Sequence, residues 1–269
     1  MTANVFADPV QDISAVSRDP ALSASEQQEH EKVVITDGLK LVPKVDQEEN
    51  TELAYKVDAA YPQIEGENLS PAAQQFNSAI SEAAKAAVQQ FIKYVTIDQP
   101  HMKTLPEDLR KNSLDIDYDI DVVRIKDNII ISVRLDIEGS QAGRAHPYHN
   151  HRVLNFDLNA GKVLELNDLF KPKAKYLNVI ANYTKQKLDA KLEDKSFIAA
   201  GTKPELKNFR NWNLENDGIL ITFDEYQVAS YVYGAQEVEV PYEVLKTLVS
   251  PSAAIYPCVM DVKVCTGLK

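Results

Sequence analysis

Glycine, cysteine and long apolar runs are scarce in this 269-residue chain, which has 9 glycines, 2 cysteines and 1 tryptophan. No stretch approaches the roughly 20 consecutive apolar residues of a membrane-spanning helix, so no membrane span is expected. The low glycine content excludes collagen-like repeats. No phosphate loop, dinucleotide fingerprint or Gly-x-Ser-x-Gly elbow occurs. Two cysteines are too few for a disulfide scaffold. Positive charge is also in deficit, with 29 Lys and Arg against 40 Asp and Glu for a net charge of -11. Such a surface repels a polyphosphate backbone, which argues against nucleic acid, and attracts a basic partner.

What is present is ordinary globular composition, 44% hydrophobic and 26% charged. The length suits one large domain or two small ones. Val5-Phe6-Ala7 before Asp8 resembles the small-residue cleavage end of a signal peptide. Cys258 and Cys265 lie close together, and an oxidising compartment would let them close a small loop by a disulfide. Two buried free thiols are the alternative. The spacing and the lack of any histidine beyond His151 argue against zinc at the pair. Both hints favour a periplasmic or secreted protein.

Residues 1–31 are polar and without a sustained period, so a leader or linker is expected there. Extended segments follow at residues 32–42 and 51–59, the second ending ahead of Tyr61-Pro62. Ser70-Pro71 starts a helix, with serine as N-cap and proline at the first helical position. Its stripe of Phe76, Ile80, Ala83, Ala84, Ala87 and Phe91 predicts a helix to about residue 95. Across residues 114–138 apolar residues alternate with Asp115, Asp117, Asp119 and Asp121, which predicts a half-buried hairpin. With Asp127-Asn128 as its turn, Ile120 faces Leu135, Val122 faces Val133 and Tyr118 faces Ile137. The same register sets Asp121 against Arg134, and Asp119 and Asp117 against Asp136 and Glu138. Like charges directly opposite are destabilising, so that acidic face needs relief.

Further strands are expected at residues 151–158 and 162–166, joined by Ala160-Gly161, with Asn167 capping a short turn. A second long helix should span residues 173–193, followed by a polar loop at 201–211. Strands at 212–214, 218–223 and 236–240 and a short helix at 242–248 complete the pattern. The expected fold class is α+β, with antiparallel sheets, two long helices and a short C-terminal helix. The expected organisation is a leader at 1–31, an N-terminal α+β module at 32–138, a C-terminal one at 139–249, and a tail at 250–269 with the disulfide.

Several spaced fragments carry a family resemblance. Ala145-His146-Pro147, Asn155-Phe156-Asp157-Leu158 with Gly161-Lys162, and Leu166-Asn167-Asp168-Leu169-Phe170 resemble the C-terminal module of the anti-sigma-V factor ectodomain family. Phe223-Asp224-Glu225-Tyr226-Gln227-Val228 with Tyr231 and Gly234, then Val240-Pro241-Tyr242 and Leu245, match the ending of that module. Residues 55–80, with Tyr61-Pro62, resemble the module that precedes it in these proteins and in some peptidoglycan deacetylases. The resemblance implies an extracytoplasmic, non-catalytic α+β binding domain, which in the anti-sigma factor is a lysozyme receptor. It does not reach a membrane anchor or a sigma-binding segment, so signalling to transcription is not carried over.

Three groups are candidates for chemistry. His146, His149 and His151 could present imidazoles to a transition metal, but they lack a clear fourth ligand, and a solvated turn is the favoured reading. The Asp115, Asp117, Asp119 and Asp121 ladder could gather calcium. Its carboxylates lie roughly 6.5–7 Å apart along the strand, which favours a solvated or Arg-paired face over an ion site; the functional reading of that face is an acidic docking surface for a basic protein. Tyr226, Tyr231, Tyr233 and Tyr242 offer flat rings for protein contact or sugar stacking. Thr222-Phe223-Asp224-Glu225 invites comparison with the acidic motif of polysaccharide deacetylases, but there the acids precede the histidines and here they follow. The expectation is therefore a non-catalytic envelope binding protein without a cofactor, sensing or inhibiting a lysozyme-like peptidoglycan hydrolase. A peptidoglycan-binding accessory module is the alternative, and a metal-dependent envelope hydrolase or deacetylase the less favoured one.

Overall fold

A computed structural model describes residues 32–36 and 38–268. The expected leader and cleavage end lie outside the described residues. The fold is α+β, built on antiparallel-dominated sheets with five helices, in agreement with the expected class.

The main sheet has eight strands: β1 (Val33–Thr36), β2 (Leu39–Asn50), β3 (Tyr55–Glu65), β4 (Asn112–Ile125), β5 (Asn128–Ser140), β6 (Tyr148–Asp157), β7 (Lys162–Leu164) and β11 (Cys265–Leu268). The first seven are ordered in sequence. β3 runs parallel to β4, joined by the crossover helix α1 (Pro71–Met102). β11 pairs antiparallel with Val122–Ile125, so β3 and β11 divide one edge of β4 between them. The residues expected as a tail thus supply a strand, pinned by the Cys258–Cys265 disulfide. A second sheet of β8 (Trp212–Leu214), β9 (Gly218–Phe223) and β10 (Gln236–Pro241) packs with α2 (Tyr176–Lys191), α3 (Lys195–Gly201), α4 (Tyr242–Leu245) and α5 (Tyr256–Met260). No described helix is long and apolar enough to cross a membrane.

Local chemistry explains the long helix. Ser70 Oγ accepts the Ala73 N–H at 3.2 Å, Pro71 needs no partner at the first position, and Phe76, Ile80, Ala84, Ala87, Phe91 and Val95 form the buried stripe. The helix continues past residue 95 to Met102, with Pro100 inside its last turn. The strand expected to stop before Tyr61-Pro62 instead runs through both residues. Pro62 sits opposite Pro43, where two prolines withhold their missing N–H groups from the same position of the ladder. The polar segment 201–211 is not wholly loop, since α3 ends at Gly201 and a single 3-10 turn covers Leu206–Phe209. The short turn after β7 is capped by Glu165 paired with Asp168, in place of Asn167.

The β4–β5 hairpin forms with the expected faces but a register two residues away from the expected one. Its turn is Lys126-Asp127, with Lys126 at φ 53°. Tyr118 faces Leu135, Ile120 faces Val133 and Val122 faces Ile131. Asp119, not Asp121, lies opposite Arg134, while Asp117 meets Asp136 and Asp115 meets Glu138. A two-residue shift preserves every side chain's face, so hydrophobic alternation cannot distinguish the registers. The turn is chosen by a neighbour: Asn159 donates its side-chain amide to the Asp127 carbonyl at 2.7 Å.

Two apolar cores flank the main sheet. One lies under α1 and takes Leu114, Ile116, Val122, Val133 and Leu135. The other lies against the second sheet and takes Val123, Ile125 and Ile130, at the end of β4–β5 where the acidic alternation turns apolar. The boundary expected at residues 138 and 139 falls within β5, and the sheet continues across it into β6.

Candidate functional site

The acidic face of β4 rises from the apolar contact at Val123 and is continued by Ser132, Arg134, Asp136 and Glu138 of β5 and by His149, His151 and Asn155 of β6. Arg134 is its hub, pairing with Asp119, Asp136 and Glu237 of β10. Burial opposes the Arg134 charge, but the Asp136, Glu237 and Asp119 carboxylates outweigh it and hold the guanidinium protonated. This is the relief the acidic face required. Asp119 and Asp121 line a pocket of about 250 Å³ with Arg134, Asn213, Glu215 and Glu237. Asp115 stands farther along, its pKa pushed up by burial and by the Asp58 and Glu138 charges.

The network continues to the edge of the sheet. His151 sits between two carboxylates, Nε2 at 3.5 Å from Asp136 and Nδ1 at 2.7 Å from Asp224. Asp224 is buried and also accepts from Arg210 at 2.6 Å and Asn211 at 3.1 Å. Burial alone would raise its pKa, but the His151 and Arg210 bonds prevail and hold it below the usual carboxylate value. Asp136 moves the other way, because burial outweighs Arg134 and His151. β7 covers β6 only at Asn155–Asp157. Beyond it the His151 and His149 backbone N–H groups donate to the side chains of Asp224 at 3.1 Å and Glu225 at 3.4 Å. Two carboxylates thus take the place of a further strand and block edge pairing.

The three histidines are turned apart. His146 stacks on Tyr231 with ring centroids 3.8 Å apart, His149 faces Glu138 at 3.6 Å, and His151 is held by Asp224. The converging ligand atoms among the described residues belong to Glu215, Asp217 and Glu239, which lie within 4.8 Å of one another.

Of the candidate tyrosines, Tyr226 and Tyr231 assemble, whereas Tyr242 is buried in the core. The loop between β9 and β10 carries Tyr226 at φ 62°, an uncommon conformation for a bulky residue. Its ring lies 5.8 Å from Tyr231, and its hydroxyl reaches His146 Nε2 at 3.5 Å. Tyr226 and Tyr233 are about half exposed, and Val232 between the paired rings and Tyr233 is 83% exposed. The loop is anchored beneath by buried Val228 and Ala229 and by Gln227, which donates to the Asn208 carbonyl at 2.8 Å. The aromatic patch adjoins the end of the acidic face, because Glu225 beside Tyr226 accepts the His149 N–H at 3.4 Å and His149 faces Glu138 at 3.6 Å. The Tyr231 pKa is raised, by desolvation and then by the Glu225, Tyr226 and Glu138 charges.

Arg134, Asp136, Arg210, Asn211 and Glu237 were not among the expected site residues. Strand pairing in the sequence already set Arg134 and Asp136 against the acidic ladder, whereas no local spacing marks Arg210, Asn211 or Glu237.

Comparison with known proteins follows this geometry. A family model described as a protein of unknown function, DUF3298, matches residues 167–243, a span that contains the second sheet and the aromatic loop. The chain is 29% identical over 179 residues to the peptidoglycan-N-acetylmuramic acid deacetylase PdaC of Bacillus subtilis, covering 65% of this chain and 36% of that protein. It is 28% identical over 127 residues to the anti-sigma-V factor RsiV of the same organism, covering 44% of this chain and 43% of that one. The chain therefore spans well under half the length of either relative. Two solved DUF3298 structures share the fold at 16% identity and a TM-score of 0.53. One, from Bacteroides fragilis, is matched over 84% of this chain and 98% of its own; the other, from Pseudomonas aeruginosa, over 81% and 97%. The resemblance read from the spaced fragments holds: residues 167–243 match the DUF3298 model, and the chain is similar to an anti-sigma-V factor and to a peptidoglycan deacetylase.

Proposed function

We propose that this chain is an exported, non-catalytic binding protein of the bacterial envelope, whose partner is a basic, lysozyme-like peptidoglycan hydrolase. The observation that carries the reading is the joining of the Tyr226–Tyr231–His146 patch to the acidic face of β4 and β5. Exposed rings supply desolvated contact area at the centre of an interface, and flanking carboxylates steer a cationic partner toward it. Tyr226 held at positive φ is a costly conformation of the sort that persists where function needs it. Similarity to an anti-sigma-V factor and the net charge of -11 support the same partner class. Whether the complex senses or inhibits the hydrolase depends on whether the bound enzyme still works.

Calorimetric titration with a basic lysozyme at low and moderate salt, with cell-wall lysis followed in parallel, tests the reading. Saturable binding that survives moderate salt and is lost in Tyr226→Ala supports a receptor, and concurrent loss of lysis makes it an inhibitor. No heat at either salt, with lysis unchanged, sinks the proposal. The match to a peptidoglycan deacetylase over 65% of this chain favours one second reading, an accessory module that binds peptidoglycan directly. Retention on purified sacculi without any hydrolase would be its mark.

A further inference from the structure

A second concavity lies on the opposite side of the main sheet from the acidic face. It is a cleft of about 730 Å³ between α1 and strands β5 and β6. Its size falls within the roughly 300–1,000 Å³ of small-molecule sites, and it combines an apolar floor with polar and basic walls that include Gln90, Gln141, Asn150 and three arginines. Ile80 and Phe91 of α1 and Val133, Leu135 and Ile137 of β5 lay the floor, each 6% exposed or less. Between Ile80 and Phe91 the helix contributes the small side chains of Ala83 and Ala87, which leave space in the cleft. At one end the Tyr148 ring lies across β5. It fits because residue 139 is glycine, since a Cβ there would stand 2.2 Å from the ring.

Charge distinguishes this cleft from the rest of the molecule. In a chain of net charge -11, its lining holds Arg144, Arg152, Arg210 and His151 and no aspartate or glutamate. Arg210 and His151 are engaged by Asp224. Arg152 bonds neutral groups, the Ala83 carbonyl at 3.3 Å and the Gln90 side-chain oxygen at 3.2 Å, which orient its guanidinium over the helix. Neither Arg144 nor Arg152 has a carboxylate partner among the described residues. Two guanidiniums without counter-charge beside an apolar floor are complementary to an anion with an apolar body.

We propose that the cleft binds a small organic carboxylate, with its head drawn to the guanidiniums of Arg152 and Arg144 that line the cleft and its apolar part laid on the floor near Ala83 and Ala87. A guanidinium grips a carboxylate through two parallel N–H···O bonds, which selects it over a neutral group of the same shape. Free fatty acids and peptide C-termini both carry this chemistry.

Calorimetric titration of the full chain with octanoate and with N-acetylphenylalanine tests the proposal, each compared with its neutral counterpart, octanol and N-acetylphenylalaninamide. At least one carboxylate saturates, its neutral counterpart binds about tenfold more weakly or worse, and the carboxylate that saturates separates a fatty acid from a peptide end. The R144Q/R152Q double variant weakens binding by about tenfold or more. Ala83→Leu fills the cleft from a partly exposed helix position and removes binding without changing the circular dichroism. Absence of saturable binding by either carboxylate, equal binding by the neutral counterparts, or undiminished binding in R144Q/R152Q or in folded Ala83→Leu would overturn it.

Discussion

The two faces of β4, β5 and β6 are built from alternate residues of the same strands, yet they are held by different physics. Toward α1 the sheet presents Ile116, Val122, Val133, Leu135 and Phe156, all nearly inaccessible, and the contact is apolar burial. Toward the second sheet it presents Asp119, Arg134, Asp136 and His151, and the contact is a chain of Arg134 ion pairs and His151 contacts ending in the His151–Asp224 hydrogen bond. The apolar face tolerates any partner of matching shape, because burial is non-directional. The polar face tolerates only a partner that supplies each group its counterpart, because an unmatched buried charge is costly. The second sheet does supply them, through Asp224 beyond β9 and Glu237 of β10.

That contrast can be broken from either side. The largest effect is expected on the apolar face. Phe156→Ala removes a ring packed edge-on at 5.6 Å against Phe76 and should cost about 3–5 kcal/mol in urea unfolding. On the polar face, Asp224→Ala leaves His151, Arg210, Asn211 and an edge N–H without their acceptor. A loss of about 2–4 kcal/mol should follow, together with a greater tendency to associate through the β6 edge, read by light scattering.

Titration sharpens the comparison further. The pKa of Asp224 is lowered in the fold, so its contribution to stability is present above its ordinary 3.8 and is lost as pH falls through the depressed value. Asp136 is raised, so its contribution has the opposite sign, greatest below 3.8 and lost as pH rises through the elevated value. Asp224→Asn should therefore flatten the acid limb of a Tm-against-pH curve, while Asp136→Asn should steepen it. The smallest effect belongs to Asp119, whose carboxylate is 68% exposed where it meets Arg134. Asp119→Asn should change stability by no more than about 1 kcal/mol, and less in high salt.

The apolar face was legible in sequence because period-two alternation across 114–138 and the stripe from Phe76 to Phe91 are local signals of burial. The polar face was only half legible. The need to relieve Asp115, Asp117, Asp119 and Asp121 followed from strand pairing, but the relief through Arg134 came with a register that the alternation does not distinguish. Among the candidate residues, Tyr226 and Tyr231 meet with His146, whereas His149 and His151 turn to separate carboxylates. The Arg144 and Arg152 cleft left no mark at all, since its walls come from α1, β5 and β6 and its meaning lies in an absence of acid that only their packing creates.

The sequence by itself therefore determined the class of fold, most of the longer elements, the inward faces of the β4–β5 hairpin and the two long helices, and the chemical character of the acidic ladder. These depend on contacts between near neighbours, where spacing and periodicity carry the information. Tertiary structure alone decided the hairpin turn, through Asn159 some 30 residues away, the capture of the β6 edge by Asp224 more than 70 residues later, and the return of Cys265–Leu268 to β4. Each is a directional bond or strand pairing between distant segments, and its energy exists only once the intervening chain has been folded to bring the partners within reach.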